Sequence, residues 1–176
     1  LGGPEAPAHA MASEGPAPRV THPTSYSDTI AVLADLLAAR RFVEASPLAR
    51  VAWQRLGMVY GRDSLKWAKA SDVVLEGLWR ASRVPDSTWV RAADAEVHFK
   101  ERKLGRDHLD LTPSLIVYAR FLQRWNRHPE ARPLLLRALE IREQKLGRVH
   151  LEVANSLMAL GACEQTMSLS ADAREH

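Results

Sequence analysis

Cysteine is nearly missing from these 176 residues. Cys163 stands alone, which excludes an internal disulfide and any all-cysteine metal site. Long apolar runs are missing too. The longest, Ile30 to Ala39, is interrupted by Asp35 and falls short of the roughly 20 apolar residues that cross a bilayer. There is no glycine-rich phosphate loop, no nucleophile elbow and no zinc-protease helix, so nothing marks an enzyme or calls for a cofactor or metal. Neither sign of charge dominates. With 24 basic and 21 acidic residues the net charge is only +3, which reads as a solvated helical surface before it reads as a nucleic-acid binder.

Proline and glycine gather at one end. Residues 1–24 hold Gly2, Gly3, Pro4, Pro7, Gly15, Pro16, Pro18 and Pro23 and few large apolar groups, so the segment cannot offset its own ordering entropy. The expectation is an extended arm that lies on neighbouring subunits of a larger assembly. It lacks the basic-then-apolar order of a secretory signal. The chain opens at Leu1 and not at a methionine, as a processed product or a fragment does. A reducing intracellular compartment, the cytoplasm, fits the single cysteine; an organelle such as the mitochondrion, after removal of a transit peptide, is the alternative.

What the sequence does have is a phrase written twice. Glu101, Lys103, Leu104, Gly105, Arg106, His108 and Leu109 return as Glu143, Lys145, Leu146, Gly147, Arg148, His150 and Leu151, 42 positions on. A fixed period of this size is the mark of stacked helical repeats. A second echo spans twice that distance. Glu44, Ala45, Pro47, Leu48, Ala52, Gly61 and Leu65 recur 86 positions later as Glu130, Ala131, Pro133, Leu134, Ala138, Gly147 and Leu151. One unit therefore lies between them.

The apolar spacing makes each unit a helical hairpin. Ile30, Leu33, Ala34 and Leu37 form one stripe, with Ser27 or Asp28 as the expected cap. The next helix is expected from about Val43 to Tyr60, closed by Gly61. In the middle unit Ser71 or Asp72 is read as capping a helix that carries Val74, Leu75, Leu78 and Trp79 and ends near Arg83. Pro85 then breaks the chain, and Asp86 or Ser87 caps a helix through Val90, Ala93 and Val97. Trp89 stands where the period places a partner for Ala131, so this joint slips or packs differently. Thr112 with Pro113, and His128 with Pro129, read as caps with proline at the first helical position. Gly161 follows Ala119, and Ala173 follows Ala131, by 42 positions each, so a fourth unit starts and its second helix has barely begun.

These residues resemble the kinesin light chain type of tetratricopeptide repeat (TPR), whose unit is near 42 residues. The likeness is carried by Glu130, Ala131, Arg132, Pro133, Leu134, Arg137, Ala138, Leu139, Glu140 and Ile141, then Leu146, Gly147 and His150, with Val153, Ala154, Ser156 and Leu157 opening the next helix. The fold expected is all-α, a right-handed α-solenoid of antiparallel helix pairs with about three and a half TPR-like repeats. Its domain would span 25–176, in units of about 27–66, 70–108 and 112–150 and a partial one at 152–176. Small residues at Ala34, Ala45, Ala52, Ala119, Ala131, Ala138 and Gly161 are expected where helices approach closely.

The resemblance implies a non-catalytic protein–protein interaction scaffold, a structural or accessory subunit of a multiprotein assembly. First helices in such arrays line the concave face. Carried over by position, the partner-binding residues are Asp35 and Ala38, then Ile116, Arg120, Gln123 and Arg124, then Met158, Ala162, Gln165 and Thr166. Arg120 and Arg124, one turn apart, suit an acidic peptide. RNA binding is the alternative, because Arg120, Arg124, Arg127, Arg132, Arg137, Arg142 and Arg148 crowd one region. His108 and His150, one per unit, read as loop residues and not metal ligands.

Overall fold

A computed structural model describes residues 25–61, 64–81 and 87–175. The arm expected at residues 1–24 lies outside them, as do the expectations for Arg83, Pro85 and Asp86. Among the described residues there are seven α-helices, one 3₁₀ turn and no strand. The helices are α1 Tyr26–Ala38, α2 Phe42–Tyr60, α3 Leu65–Ala81, α4 Ser87–Leu104, α5 Thr112–Arg124, α6 His128–Leu146 and α7 Leu151–Glu175. The 3₁₀ turn, Leu109–Leu111, leads into α5.

Packing follows chain order. α1 pairs with α2, α3 with α4 and α5 with α6, and each second helix also lies against the next first helix. The first helices α1, α3 and α5 touch in turn. This neighbour-to-neighbour stacking is that of an α-solenoid, with a core that runs along the array and no single centre. Ala45, Ala52, Ala119, Ala131 and Ala138 are wholly buried in it, beside Leu33, Leu56, Leu115, Leu122 and Leu135.

The 86-residue echo extends to the backbone. α1 and α2 match α5 and α6 end for end at that offset. Arg40 (φ 58°) and Asn126 (φ 56°) hold the same left-handed turn between paired helices. Arg41 grips Glu44 through two hydrogen bonds, and Arg127 grips Glu130 likewise. Each carboxyl is held below its ordinary range by its arginine. Gly61 and Gly147 end α2 and α6 at φ 70° and 80° with ψ of 135° and 160°. That corner of backbone space is close to glycine's alone, which is why the phrase keeps a glycine there.

Several caps differ from the expectation. The cap of α1 is Ser25, whose hydroxyl accepts from the Asp28 N–H while Asp28 returns the bond, so Asp28 is the third helical residue and Ser27 lies inside the first turn. α3 begins at Leu65, with the Ser64 hydroxyl accepting from the Trp67 N–H. Ser71 and Asp72 therefore lie within α3 and cap nothing. Thr112 and His128 are the first residues of α5 and α6, not their caps; Thr112 donates to the Leu109 carbonyl of the preceding turn. The helix from Leu151 runs unbroken to Glu175, so the second helix expected near Ala173 does not begin there.

The repeated histidines have a structural task. Nδ1 of His108 accepts from the Asp110 N–H, and Nδ1 of His150 from the Glu152 N–H, both at 3.1 Å. Each ring thus satisfies a backbone donor that the helix start leaves unpaired. Ser64 stands 86 positions before His150 and does the same with a hydroxyl. His108→Ala or His150→Ala is expected to cost about 1 kcal/mol in urea denaturation, and His150→Ser to recover most of it.

Candidate functional site

A groove of about 910 Å³ runs along the first helices. α3 contributes Lys69, Asp72, Val73, Glu76, Trp79 and Arg80. From α5 come Pro113, Ile116, Val117, Arg120 and Gln123, and from α7 Asn155, Met158, Ala159 and Ala162. The α7 set repeats the first four of α5 at 42 positions, so one helix face is presented twice.

Of the concave residues expected from sequence, the groove gathers Ile116, Arg120, Gln123, Met158 and Ala162. Ala38 lines a smaller pocket beside it, with Ala34, Leu37, Val73, Glu76 and Arg80. Asp35 is exposed and lines neither, because α1 aligns with α5 at 86 positions and that offset pairs Asp35 with the buried Phe121, off the groove stripe. Gln165 and Thr166 are exposed beyond the groove's end, where the Thr166 hydroxyl returns to the Ala162 carbonyl. Two packing expectations also change. Ala34 is only half-buried, because Leu33 takes the core position equivalent to Ala119. Gly161 is exposed, with nothing within 4 Å of where a Cβ would stand, since no described helix covers that face of α7.

The whole α3 wall was missed by sequence reasoning. Its signal was present as Lys69, Asp72, Glu76 and Arg80 at helical spacing. Charge along the groove is uneven. Where the first helices start, the charges are internally matched: Lys69 lies 3.2 Å from Asp110, and Arg142 lies 2.5 Å from Glu152. At the other end guanidinium groups collect on one indole. Arg120, Arg124 and Arg80 stand 4.7, 5.5 and 5.6 Å from the Trp79 ring centroid. Glu76 serves two of them, meeting Arg80 at 2.7 Å and Arg120 at 3.4 Å. Burial pulls the Arg120 pKa down and the nearby Arg80 and Arg142 add to this, while Glu76 opposes it. Arg80 is further held over the Phe42 ring at 5.3 Å, so these cations are positioned in advance of any ligand.

Three further tryptophans serve packing, while Trp125 is exposed. Trp53 of α2 meets Trp89 of α4 edge-on at 5.6 Å, and Trp67 of α3 meets Phe99 of α4 at 5.4 Å. Trp89 thus bridges second helices at the place where α6 has Ala131, which is how the middle joint departs from the others.

Two buried cations repeat behind the groove. Lys100 of α4 and Arg142 of α6 are 42 positions apart and almost fully buried. Arg142 donates to the Thr112 and Ser156 hydroxyls at 3.1 and 2.8 Å and to the Glu152 carbonyl at 3.0 Å. Lys100 donates to Asp72 at 2.5 Å and to the Asp110 carbonyl at 3.2 Å, the latter being the counterpart of the Glu152 carbonyl. Each cation ties a second helix to the start of the next first helix, as a strut between units.

Among the described residues no helix is long and apolar enough to cross a membrane. The chain matches no curated protein. The family model for the tetratricopeptide repeat, a module that mediates protein–protein interaction, matches residues 111–176, the stretch that holds α5, α6 and α7.

Proposed function

We propose that this chain is a non-catalytic interaction scaffold that holds an acidic segment of a partner protein in the groove of α3, α5 and α7. The observation that carries the reading is the set of guanidinium groups fixed on Trp79 beside the apolar strip of Val73, Ile116, Val117 and Met158. A peptide carboxylate would meet positioned donors at one end, and its apolar side chains would find that strip along the floor. The unit of 42 residues supports placing the chain with the kinesin light chain type of repeat.

Protein is favoured over RNA by how the clustered arginines are used. Arg120, Arg127, Arg132, Arg137 and Arg142 each meet a carboxylate, which leaves less uncompensated charge than a phosphate backbone would need. Membership of a larger assembly is supported by α2, whose outer stripe exposes Val43, Val51 and Met58. The matching place to Val51 on α6 is Arg137, which pairs with Glu101 of the neighbouring second helix α4.

Selection from a displayed peptide library against the full chain is expected to return acidic segments. Arg120→Gln should weaken the best of them about tenfold, roughly 1.4 kcal/mol. Uncharged winners, or affinity unchanged in Arg120→Gln, would overturn the reading. Binding to any single strand that falls steeply with salt would replace it with RNA recognition.

A further inference from the structure

The joint between α3 and α4 contains a charge that the repeat pattern does not call for. Glu96 is wholly buried at the place where α2 and α6 carry Ala52 and Ala138. Three ionisable groups meet there: Asp72 of α3 with Glu96 and Lys100 of α4. Asp72 accepts from Lys100 at 2.5 Å and from the Ser114 hydroxyl of α5 at 2.6 Å, so it is the carboxylate of the ion pair.

Glu96 is bonded differently. Its Oε1 has no hydrogen-bond partner and lies 3.7 Å from the Lys100 ammonium. Its Oε2 meets the Ser71 hydroxyl, which has one proton and also lies 2.9 Å from the Ala68 carbonyl. A carbonyl and an ionised carboxylate both only accept, so the one serine proton can serve just one of them at a time. With Oε1 unpartnered, an ionised Glu96 would have only this shared serine as a hydrogen-bond donor, where Asp72 has both Lys100 and Ser114, so Glu96 is the carboxyl that geometry favours to hold a proton.

The electrostatics agree. Burial first, and the Asp72 charge second, push Glu96 up to about 8, against smaller opposing pulls from Lys100 and Ser71. Burial raises Asp72 as well, against Lys100 and Ser114. The charges facing Glu96 are Asp72 across the joint and Lys100 on its own helix. The turn before α5 brings Asp110, which acts on Asp72 and is itself bridged by Lys69, and α5 brings the neutral Ser114.

Asp72 is also a wall residue of the groove. We infer that Glu96 is a proton-operated latch on that wall. Protonated, it leaves Lys100 to Asp72, and α3 stays closed on α4 and α5. When the proton passes to solvent, Glu96 becomes a second buried anion, draws Lys100 off Asp72 and loosens the α3 wall. The control of ligand binding rests on the groove reading above; the latch does not.

Carbon-13 NMR of the side-chain carboxyls in the full chain tests it. One glutamate is expected to titrate near 8 and to vanish in Glu96→Gln. Its folded pKa lies above the ordinary 4.5, so the stability it contributes is complete below that value and is lost as the pH rises through 8. The melting temperature of the wild type should therefore fall between about pH 5 and about pH 9, and that of Glu96→Gln should fall much less. Glu96→Ala, the residue at this place in α2 and α6, is the second variant and should behave like Glu96→Gln. Affinity for an acidic peptide selected on the groove should drop over the same range in the wild type alone. Titration of Glu96 in the ordinary range, or the same pH dependence in both variants, overturns the latch and leaves the groove reading standing. Loss of peptide binding at every pH, with the titration near 8 intact, removes the groove and leaves the latch.

Discussion

Lys100→Met is expected to destabilise the chain by about 3 to 5 kcal/mol in urea denaturation. Lys100 is 1% exposed, and methionine matches its length, so the loss is one of charge and not of volume. What remains is Asp72, mostly buried at the groove wall with Ser114 as its side-chain donor, next to the wholly buried Glu96. Uncompensated buried charge costs more than the ion pair contributed, because Asp72 recovers only part of its hydration at the groove wall. The penalty should shrink as the pH falls, since Asp72 then takes a proton as Glu96 already has. It should also shrink when Asp72→Asn and Glu96→Ala are added, because removing a whole buried cluster is often neutral. Arg142→Met is the control at the matching position. Its carboxylate partner Glu152 is 44% exposed and keeps its hydration, so the cost should be clearly smaller. Equal costs for Lys100→Met and Arg142→Met would show that both act as plain struts and that the acids behind Lys100 carry no charge to strand.

The contrast shows what the sequence could and could not disclose. The period of 42, the glycines that end helices and the buried alanines were all legible, because each is a requirement of one backbone on its neighbour and recurs with every copy. α2 ends at Tyr60 before Gly61 as the pattern predicts, and α5 and α6 open within a residue of the threonine and histidine that mark them. The polar cluster was harder to see. Val90, Ala93, Val97, Lys100 and Leu104 follow one another at steps of three and four, so Lys100 sits in the apolar stripe of α4. That step was a usable signal of a buried cation. Its partners were not legible, because they come from α3 across the joint, and Ser71 and Asp72 are residue types that usually begin helices. The groove divides in the same way. Its α5 and α7 sides repeat at 42 positions and could be transferred from one to the other. The α3 side carries charges that are intelligible only once Arg80, Arg120 and Trp79 are brought together.

Ala119→Leu and Gly161→Leu occupy the same place in successive units and are expected to shift stability in opposite directions. Ala119 is wholly buried in α5, one of the small residues that let helices nest. How close that nesting is can be read one unit earlier, at Gly77, where a Cβ would stand 3.2 Å from the Ala49 Cβ and 3.3 Å from a Leu33 methyl. A leucine at Ala119 has to displace its neighbours or leave its rotamer, at a cost of about 1 to 3 kcal/mol. At Gly161 nothing stands within 4 Å, and the residue lies well inside α7. There leucine removes the conformational penalty of a mid-helix glycine and should stabilise by about 0.5 to 1 kcal/mol. Thermal melts of the two variants measure the difference directly. A Gly161→Leu variant that melts as low as Ala119→Leu would mean that this face of α7 is covered in solution, so that its equivalence to the buried face of α5 extends to a packed partner.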